Sequence, residues 1–367
     1  MTAVSVIIPV WNTGPEIDRC IASLCGQSLK EIELIFVDDR GTDDAMAKVH
    51  AAAAADPRIR VIVNPENLGP GPSRNAGIAA ARGEYLLFVD PDDYIDQTYL
   101  EELYREAIEK DLTLVKGGYV YEKEDGTQVP QFDLNRKILT GLAKGKPLFT
   151  LLTYQHTSVL INRRILQDGN IRYGTSRYGE DTTFLLRLCC IDASFGVCIT
   201  SGGYHCVSRD GSSMNQWNEQ QLMARLDGFR EKVDYLLSRK FDSYAENYVL
   251  DRVSDQLRII SYVSKVSVLK GSSAAFMAGL KKQVLRCPLS EEAINSDMEI
   301  RGLVLYGENL ARGPYSAGFV KPTVKDQMRF ICQWLAFMFR HPCEIPAVSA
   351  DIFRTVKNKM VKALIRE

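Results

Sequence analysis

Gly83-Glu84-Tyr85-Leu86-Leu87-Phe88-Val89-Asp90-Pro91-Asp92-Asp93 is the stretch on which the reading of the whole chain turns. The apolar run Tyr85 to Val89 has the length of a buried strand, and it ends in three carboxylates within four positions. The carboxyl end of a strand is where open α/β sheets bind ligands. Side chains alternate along an extended segment, so Asp90 and Asp92 point one way while Asp93 begins the next turn. Crowded ionised oxygens repel one another and are relieved by a hard cation such as Mg²⁺ or Mn²⁺, with phosphate supplying the remaining ligands. The competing reading is a helix start, with Asp92 or Asp93 capping the segment Gln97 to Lys110.

The flanking sequence favours the ligand site. Val4 to Val10, Glu33 to Val37, Ile59 to Val63, Tyr85 to Val89 and Leu112 to Tyr121 read as strands. Pro15 to Gln27, Thr42 to Ala55, Pro72 to Arg82 and Gln97 to Lys110 carry helical spacing between them. That alternation predicts a mostly parallel sheet with helices on both faces. Trp11-Asn12 follows the first strand, Asp38-Asp39 the second, and Asn64 the third, leading to Gly69-Pro70-Gly71-Pro72-Ser73-Arg74-Asn75; the carboxylate cluster follows the fourth. A ligand at that shared edge meets an aromatic ring, a carboxylate pair, an arginine at a helix start and a metal site, which matches a nucleoside diphosphate part by part.

Composition narrows the partners. The 367 residues carry a formal net charge of -1 and a pI near 6.5, which gives no electrostatic reason for nucleic acid binding. Nine cysteines without a Cys-x-x-Cys pair, and only four histidines, offer no zinc-ligand spacing and suit reduced thiols in cytosol. The amino terminus enters an apolar strand without a charged n-region or cleavage pattern, and no apolar run reaches the roughly 20 residues of a membrane span. A soluble cytoplasmic protein, or one peripheral at the inner face of the membrane, is expected.

Ser5-Val6-Ile7-Ile8-Pro9-Val10-Trp11-Asn12, Val37-Asp38-Asp39-Arg40-Gly41-Thr42-Asp43, Asn67-Leu68-Gly69 through Ser73-Arg74-Asn75-Ala76-Gly77, and Gly83 through Asp93 together resemble the bacterial family 2 glycosyltransferases of GT-A fold. The resemblance covers roughly the first 215 residues and is carried by motifs in order, which is more specific than any one alone. It implies a GT-A domain over 1–215 and leaves a helical region over 216–367 outside it. It also implies a donor set of Pro9, Trp11, Asn12, Asp39, Arg74, Asp90 and Arg209. In that set Asp39 recognises uracil, Trp11 takes a stacking position usually held by Tyr, and Arg74 meets the nucleotide. Asp90 and Asp92 form the DXD pair, with Asp92, joined by Asp93, holding the metal. Arg40-Gly41 stands where the family usually has Gly-Ser, a departure in the turn after Asp39.

Tyr178-Gly179-Glu180-Asp181, before the helical run Thr182 to Cys190, resembles the family's Glu-Asp motif. By that likeness Asp181 is the base and Glu180 orients the acceptor or the base; a helix start that merely favours carboxylates is the alternative. A single base with no separate nucleophile implies inversion. Tyr204-His205 and Arg209-Asp210-Gly211-Ser212-Ser213 follow, and some relatives use a His there as a further metal ligand. His205 takes that place or is structural, and Arg209 with Ser212 either closes over the diphosphate or forms an ordinary turn.

The expected activity is a metal-dependent (Mn²⁺ or Mg²⁺) inverting transfer from a nucleotide sugar, a UDP-sugar by resemblance, to a glycan or lipid-linked acceptor of a bacterial surface polysaccharide. A sugar-phosphate nucleotidyltransferase would need a Gly-rich basic loop after the first strand, which Trp11-Asn12-Thr13-Gly14 does not supply. A non-catalytic nucleotide-sugar-binding module is the other alternative. The dinucleotide fingerprint, the P-loop and the Gly-x-Ser-x-Gly elbow are all absent. Far downstream, Ile352, Val356, Met360 and Leu364 make an i, i+4 stripe flanked by Arg354, Lys357, Lys359, Lys362 and Arg366. Such a basic amphipathic end lies on an anionic membrane or packs on the protein's own helices or a second subunit.

Overall fold

A computed structural model describes residues 2–130, 156–176, 178–191, 193–208, 218–239 and 270–290, with short pieces between 245 and 256. The chain divides into one compact unit, Met1–Ala311, and a second, Arg312–Glu367. The boundary expected at residue 215 falls inside the first unit, and the amphipathic stripe from Ile352 to Leu364 lies outside the described residues.

The first half of the chain alternates as its pattern predicts. Strands β1 (Val4–Val10), β2 (Ile32–Asp38), β3 (Ile59–Val63) and β4 (Tyr85–Phe88) are joined through helices α1 (Ile17–Cys25), α2 (Ala45–Ala55) and α3 (Pro70–Ala80). Pairing is parallel between β1 and β2, β2 and β3, and β1 and β4. β1 is buried along its whole length, as a strand covered on both faces must be, and its near-continuous Val and Ile content follows from that.

The sheet is seven-stranded, in the order β10-β6-β9-β4-β1-β2-β3, with β6 spanning Leu114–Lys116, β9 Val159–Asn162 and β10 Phe195–Val197. β9 runs antiparallel to both β4 and β6 and makes the sheet mixed. β9 lies in residues 123–179, a stretch rich in Gly, Lys and polar residues with no clean period that reads as loops and short elements; four residues are too few to show a strand period. Leu112 to Tyr121 is also not one strand. It breaks at Gly117-Gly118 into β6 and β7 (Tyr119–Glu122), and β7 joins a second sheet of order β5-β11-β7-β8 with β5 (Tyr94–Ile95), β8 (Gln128–Pro130) and β11 (Tyr204–Val207). Gly117 is required there: an added Cβ would lie 2.3 Å from the Tyr99 hydroxyl.

Helices cover both faces of the large sheet. Ile17, Cys20 and Leu24 of α1 and Tyr99, Leu100, Leu103 and Ala107 of α4 (Tyr99–Glu109) pack with Val4, Val6, Ile8 and Val10 on one side. α3, α5 (Arg163–Asp168) and α6 (Glu180–Cys189) pack with Ile7, Ile35 and Phe88 on the other. A third cluster joins α6, through Leu186, to α7 (Glu219–Leu237) and α8 (Lys270–Val284). Gly77 lets α3 lie against β1, since a Cβ there would stand 2.3 Å from Ile7 Cγ2; this close approach sets Arg74 beside the end of β4.

Candidate active site

The loop between β3 and α3 is organised by one buried carboxylate. Asp39, 3% exposed, accepts from Asn64 Nδ2, Leu68 N–H and Gly69 N–H, each at 2.8 Å. Asn64 Nδ2 also donates to Ser73 Oγ at 2.9 Å, and Ser73 Oγ donates to the Gly69 carbonyl at 2.8 Å. Arg40, with φ +63, donates from Nε to the Asn64 carbonyl at 2.6 Å. The residue expected to read a base is therefore also the one that holds the start of α3. Asn12, with φ +47, accepts from Thr42 N–H at 2.7 Å, so its amide fastens the two strand ends together. Trp11 beside it is 54% exposed at the sheet edge, and Pro9 lies within buried β1.

Arg74 is the centre of the site. It is 4% exposed, donates from Nη2 to Asp90 Oδ1 at 2.7 Å and from Nη1 to Glu180 Oε1 at 3.0 Å, and lies 5.3 Å from the centroid of the Tyr173 ring. Burial opposes its charge, but Asp90, Tyr173 and Glu180 together outweigh that and hold its pKa above the ordinary value. Arg74 thus joins the cluster after β4 to the acid pair at the start of α6, 106 residues from Glu180 in sequence. Tyr173 completes this arrangement and was not legible beforehand. Its backbone exchanges hydrogen bonds with the Asn75 side chain, and its ring stacks on Phe184 at 4.0 Å.

The three carboxylates after β4 have different fates. Asp90 and Asp92 are partly exposed at the sheet edge. Asp93 is buried, with Oδ2 accepting from the Tyr204 hydroxyl at 2.6 Å and Oδ1 from Val207 N–H at 2.9 Å. Burial, then Asp90 and Asp92, push its pKa well above the usual carboxylate range. The Tyr204 hydroxyl also accepts from Asp90 N–H at 3.0 Å, so β11 sets the shape of the whole turn. His205 stacks on Tyr94 at 4.2 Å and its Nε2 lies 2.9 Å from Asp96 Oδ2. Among the described residues no three His, Cys, Asp or Glu side chains form a metal-ligand group. The expected trio of Asp92, Asp93 and His205 does not converge as one group here: both Asp93 oxygens accept from β11, and His205 Nε2 lies on Asp96 while its Nδ1 is buried without a hydrogen-bond partner among the described residues. Arg209 lies outside the described residues.

Glu180 and Asp181 open α6 after Gly179, which has φ +73. Glu180 is buried on Arg74, and burial followed by the Asp181 charge pushes its pKa up to about 7. Asp181 is partly exposed, and among the described residues its carboxylate accepts from Thr182 N–H at 2.7 Å. Thr175, Ser176 and Tyr178, just upstream, line a hollow of about 390 Å³ with Asn218, Gln221 and Asp227 of the α7 region.

A parallel-centred sheet with helices on both faces and its polar residues gathered at the carboxyl ends of β1, β2 and β4 is the architecture of the GT-A fold. Superposition agrees: Staphylococcus aureus TarS residues 1–349, solved in complex with UDP-GlcNAc, has a TM-score of 0.65 over 84% of this chain and 87% of that one, at 20% identity, a likeness of fold. The model of Glycosyl transferase family 2 matches residues 5–169. A Haemophilus influenzae protein described as an uncharacterized glycosyltransferase is 31% identical over 191 residues, covering 51% of this chain and 71% of that protein. EpsJ of Bacillus subtilis, described as an uncharacterized glycosyltransferase, is 37% identical over 196 residues, covering 50% of this chain and 55% of its own length. The chain belongs to glycosyltransferase family 2. It spans about half the length of the first curated relatives it matches, 41% and 55%. Among the described residues no helix is long and apolar enough to cross a membrane.

Proposed function

We propose that the protein transfers a sugar, with inversion, from a nucleotide sugar to a hydroxyl of a bacterial surface glycan or its lipid-linked precursor. The observation that carries this reading is the Arg74 bridge, 2.7 Å to Asp90 and 3.0 Å to Glu180, which ties a strand-end acidic turn to an acid pair from a distant helix. A binding module has no need for the second half of that arrangement. Exposed Trp11 offers a face for a base to stack on. The complex of TarS with UDP-GlcNAc supports a UDP-sugar as donor.

Asp92, with Asp90 beside it, suits a divalent cation that arrives with the diphosphate, because Mg²⁺ needs only one or two protein carboxylates when phosphate oxygens complete its shell. When bound, such an ion stabilises the charge developing on the leaving diphosphate. The remaining work falls to the chain itself. Arg74 keeps Glu180 and Asp90 in register, and Asp181 takes the proton from the acceptor hydroxyl as that oxygen attacks the anomeric carbon. With one base and no enzyme nucleophile, a single displacement inverts the configuration. The polar hollow beside Tyr178 presents hydroxyl, carboxamide and carboxylate groups, chemistry suited to a polyhydroxylated acceptor.

Purified protein incubated with Mn²⁺ and a panel of UDP-, GDP- and TDP-sugars tests the proposal. Nucleoside diphosphate release and a donor-induced thermal shift are expected with one of them. Indifference to every nucleotide and metal would sink the assignment.

A further inference from the structure

The backbone that presents Glu180 and Asp181 is gripped from α7, a helix outside the matched family segment of residues 5–169. Gly228 of α7 approaches so closely that an added Cβ would stand 2.6 Å from the Tyr178 carbonyl oxygen. One turn later, Lys232 donates from Nζ to the Gly179 carbonyl at 3.0 Å and to the Gly228 carbonyl at 3.3 Å. The Gly179 carbonyl also accepts from Thr183 N–H at 3.0 Å and from the Thr182 and Thr183 hydroxyls at 3.0 and 2.9 Å.

On stability grounds alone this is a poor place for a lysine. Lys232 is 5% exposed, and among the described residues its hydrogen bonds go to carbonyls rather than to a carboxylate. A buried ammonium without a carboxylate in contact carries a desolvation cost, and a cation at a helix amino terminus opposes the helix dipole. Three donors from α6 already satisfy the Gly179 carbonyl, so the lysine is not needed as a cap. Local rules broken at a cost are expected where function requires it. What Lys232 adds is charge: Asp181, Glu231 and Glu180 all act on its ammonium, although burial is the larger influence and lowers its pKa to about 8.

We infer that Lys232 is a positioning residue for glycosyl transfer, holding the Gly179 backbone and with it the acid pair that opens α6. The inference rests on the proposed role of Asp181. Other charged and titratable groups surround the acid pair and Lys232: Arg74 of α3, His156, Tyr173, Arg225 of α7 and Tyr248 interact with the pair, Asp90 after β4 interacts with Arg74, and Glu231 and Arg252 interact with Lys232. Arg74 is committed to Asp90 and Glu180, and burial with Arg74 nearby lowers His156 to about 4, so that ring is neutral in the working range. Lys232 is the buried cation of this set whose charge is lost on the alkaline side.

The test is the pH profile of transfer for wild type, Lys232→Met and Lys232→Arg, using the donor found in the panel, with the UDP-induced thermal shift as the check on folding. Lys232→Met is expected to lower kcat by about tenfold or more, the effect of a misplaced catalytic group, with donor KM unchanged. Lys232→Arg is expected to restore most of kcat and to lack the alkaline decline near pH 8. A folded Lys232→Met with the wild-type kcat overturns the inference. Should the methionine variant not fold, an arginine variant with the wild-type alkaline limb overturns it. Absence of turnover in wild type removes the parent proposal and this inference with it, whereas turnover with unchanged profiles removes the inference alone.

Discussion

The turn after β4 and the start of α6 each place a buried carboxylate beside a partly exposed one, Asp93 next to Asp92 and Glu180 next to Asp181. In the turn, the buried member is held by neutral donors, the Tyr204 hydroxyl and Val207 N–H. At the helix it is held by the charge of Arg74. Both have raised pKa values, because burial is the largest influence in each and the neighbouring carboxylates add to it. The difference lies in what removing the support does: a lost hydroxyl leaves an unsatisfied oxygen, whereas a lost arginine leaves uncompensated charge on two elements at once. In both regions the buried carboxylate is tied to the surrounding structure and its neighbour stands partly exposed.

The largest effect is expected from Arg74→Met, which should destabilise the protein by about 3–5 kcal/mol, the usual cost of breaking a buried ion pair. Denaturant unfolding measures it. A variant as stable as wild type with a raised donor KM would instead make Arg74 a nucleotide ligand first. Next, Asp181→Asn should lower transfer by about 10²-fold or more while nucleotide binding, followed by thermal shift, is retained. The two members of the acidic turn should then separate. Asp93→Asn should cost about 1–3 kcal/mol of stability by setting an amide against two donors, while Asp92→Asn should leave stability alone and weaken the response to Mn²⁺; equal loss of stability in both would erase the distinction.

The smallest effect concerns pH. Glu180 has a folded pKa raised from 4.5 to about 7, so its contribution to stability is fully present below its unfolded value and is lost as pH rises through about 7. Glu180→Gln should therefore flatten the fall in melting temperature between about pH 4.5 and 7. A slope identical to wild type would show that Glu180 is ionised throughout that range.

Most of the fold was legible where burial repeats along the chain. Val4 to Val10 and Ile59 to Val63 were read to the residue, because β-branched runs between helical segments leave little choice. β9 and β11 were not, since four residues pairing with distant partners carry no period of their own. The same limit applies to the site. Residue types identified Asp39, Arg74, Asp90 and Glu180 as polar groups at sheet and helix ends. They did not show that Asp39 fastens a loop, that Arg74 spans two motifs, or that Asp93 and His205 are committed to Tyr204 and Asp96. Lys232 was hidden in an ordinary amphipathic helix, and only its burial and its bond to the Gly179 carbonyl in the folded chain distinguish it.

The bonds from β11 to the acidic turn also set an order of assembly. Tyr204 and Val207 lie 111 and 114 residues beyond Asp93, so synthesis delivers the carboxylate long before either of its donors. A nascent chain stopped short of residue 204 holds strands β1 to β4 yet has Asp93 without both of the donors that orient it. The acidic turn after β4 thus has both donors to the Asp93 side chain only once β11 has paired between β5 and β7.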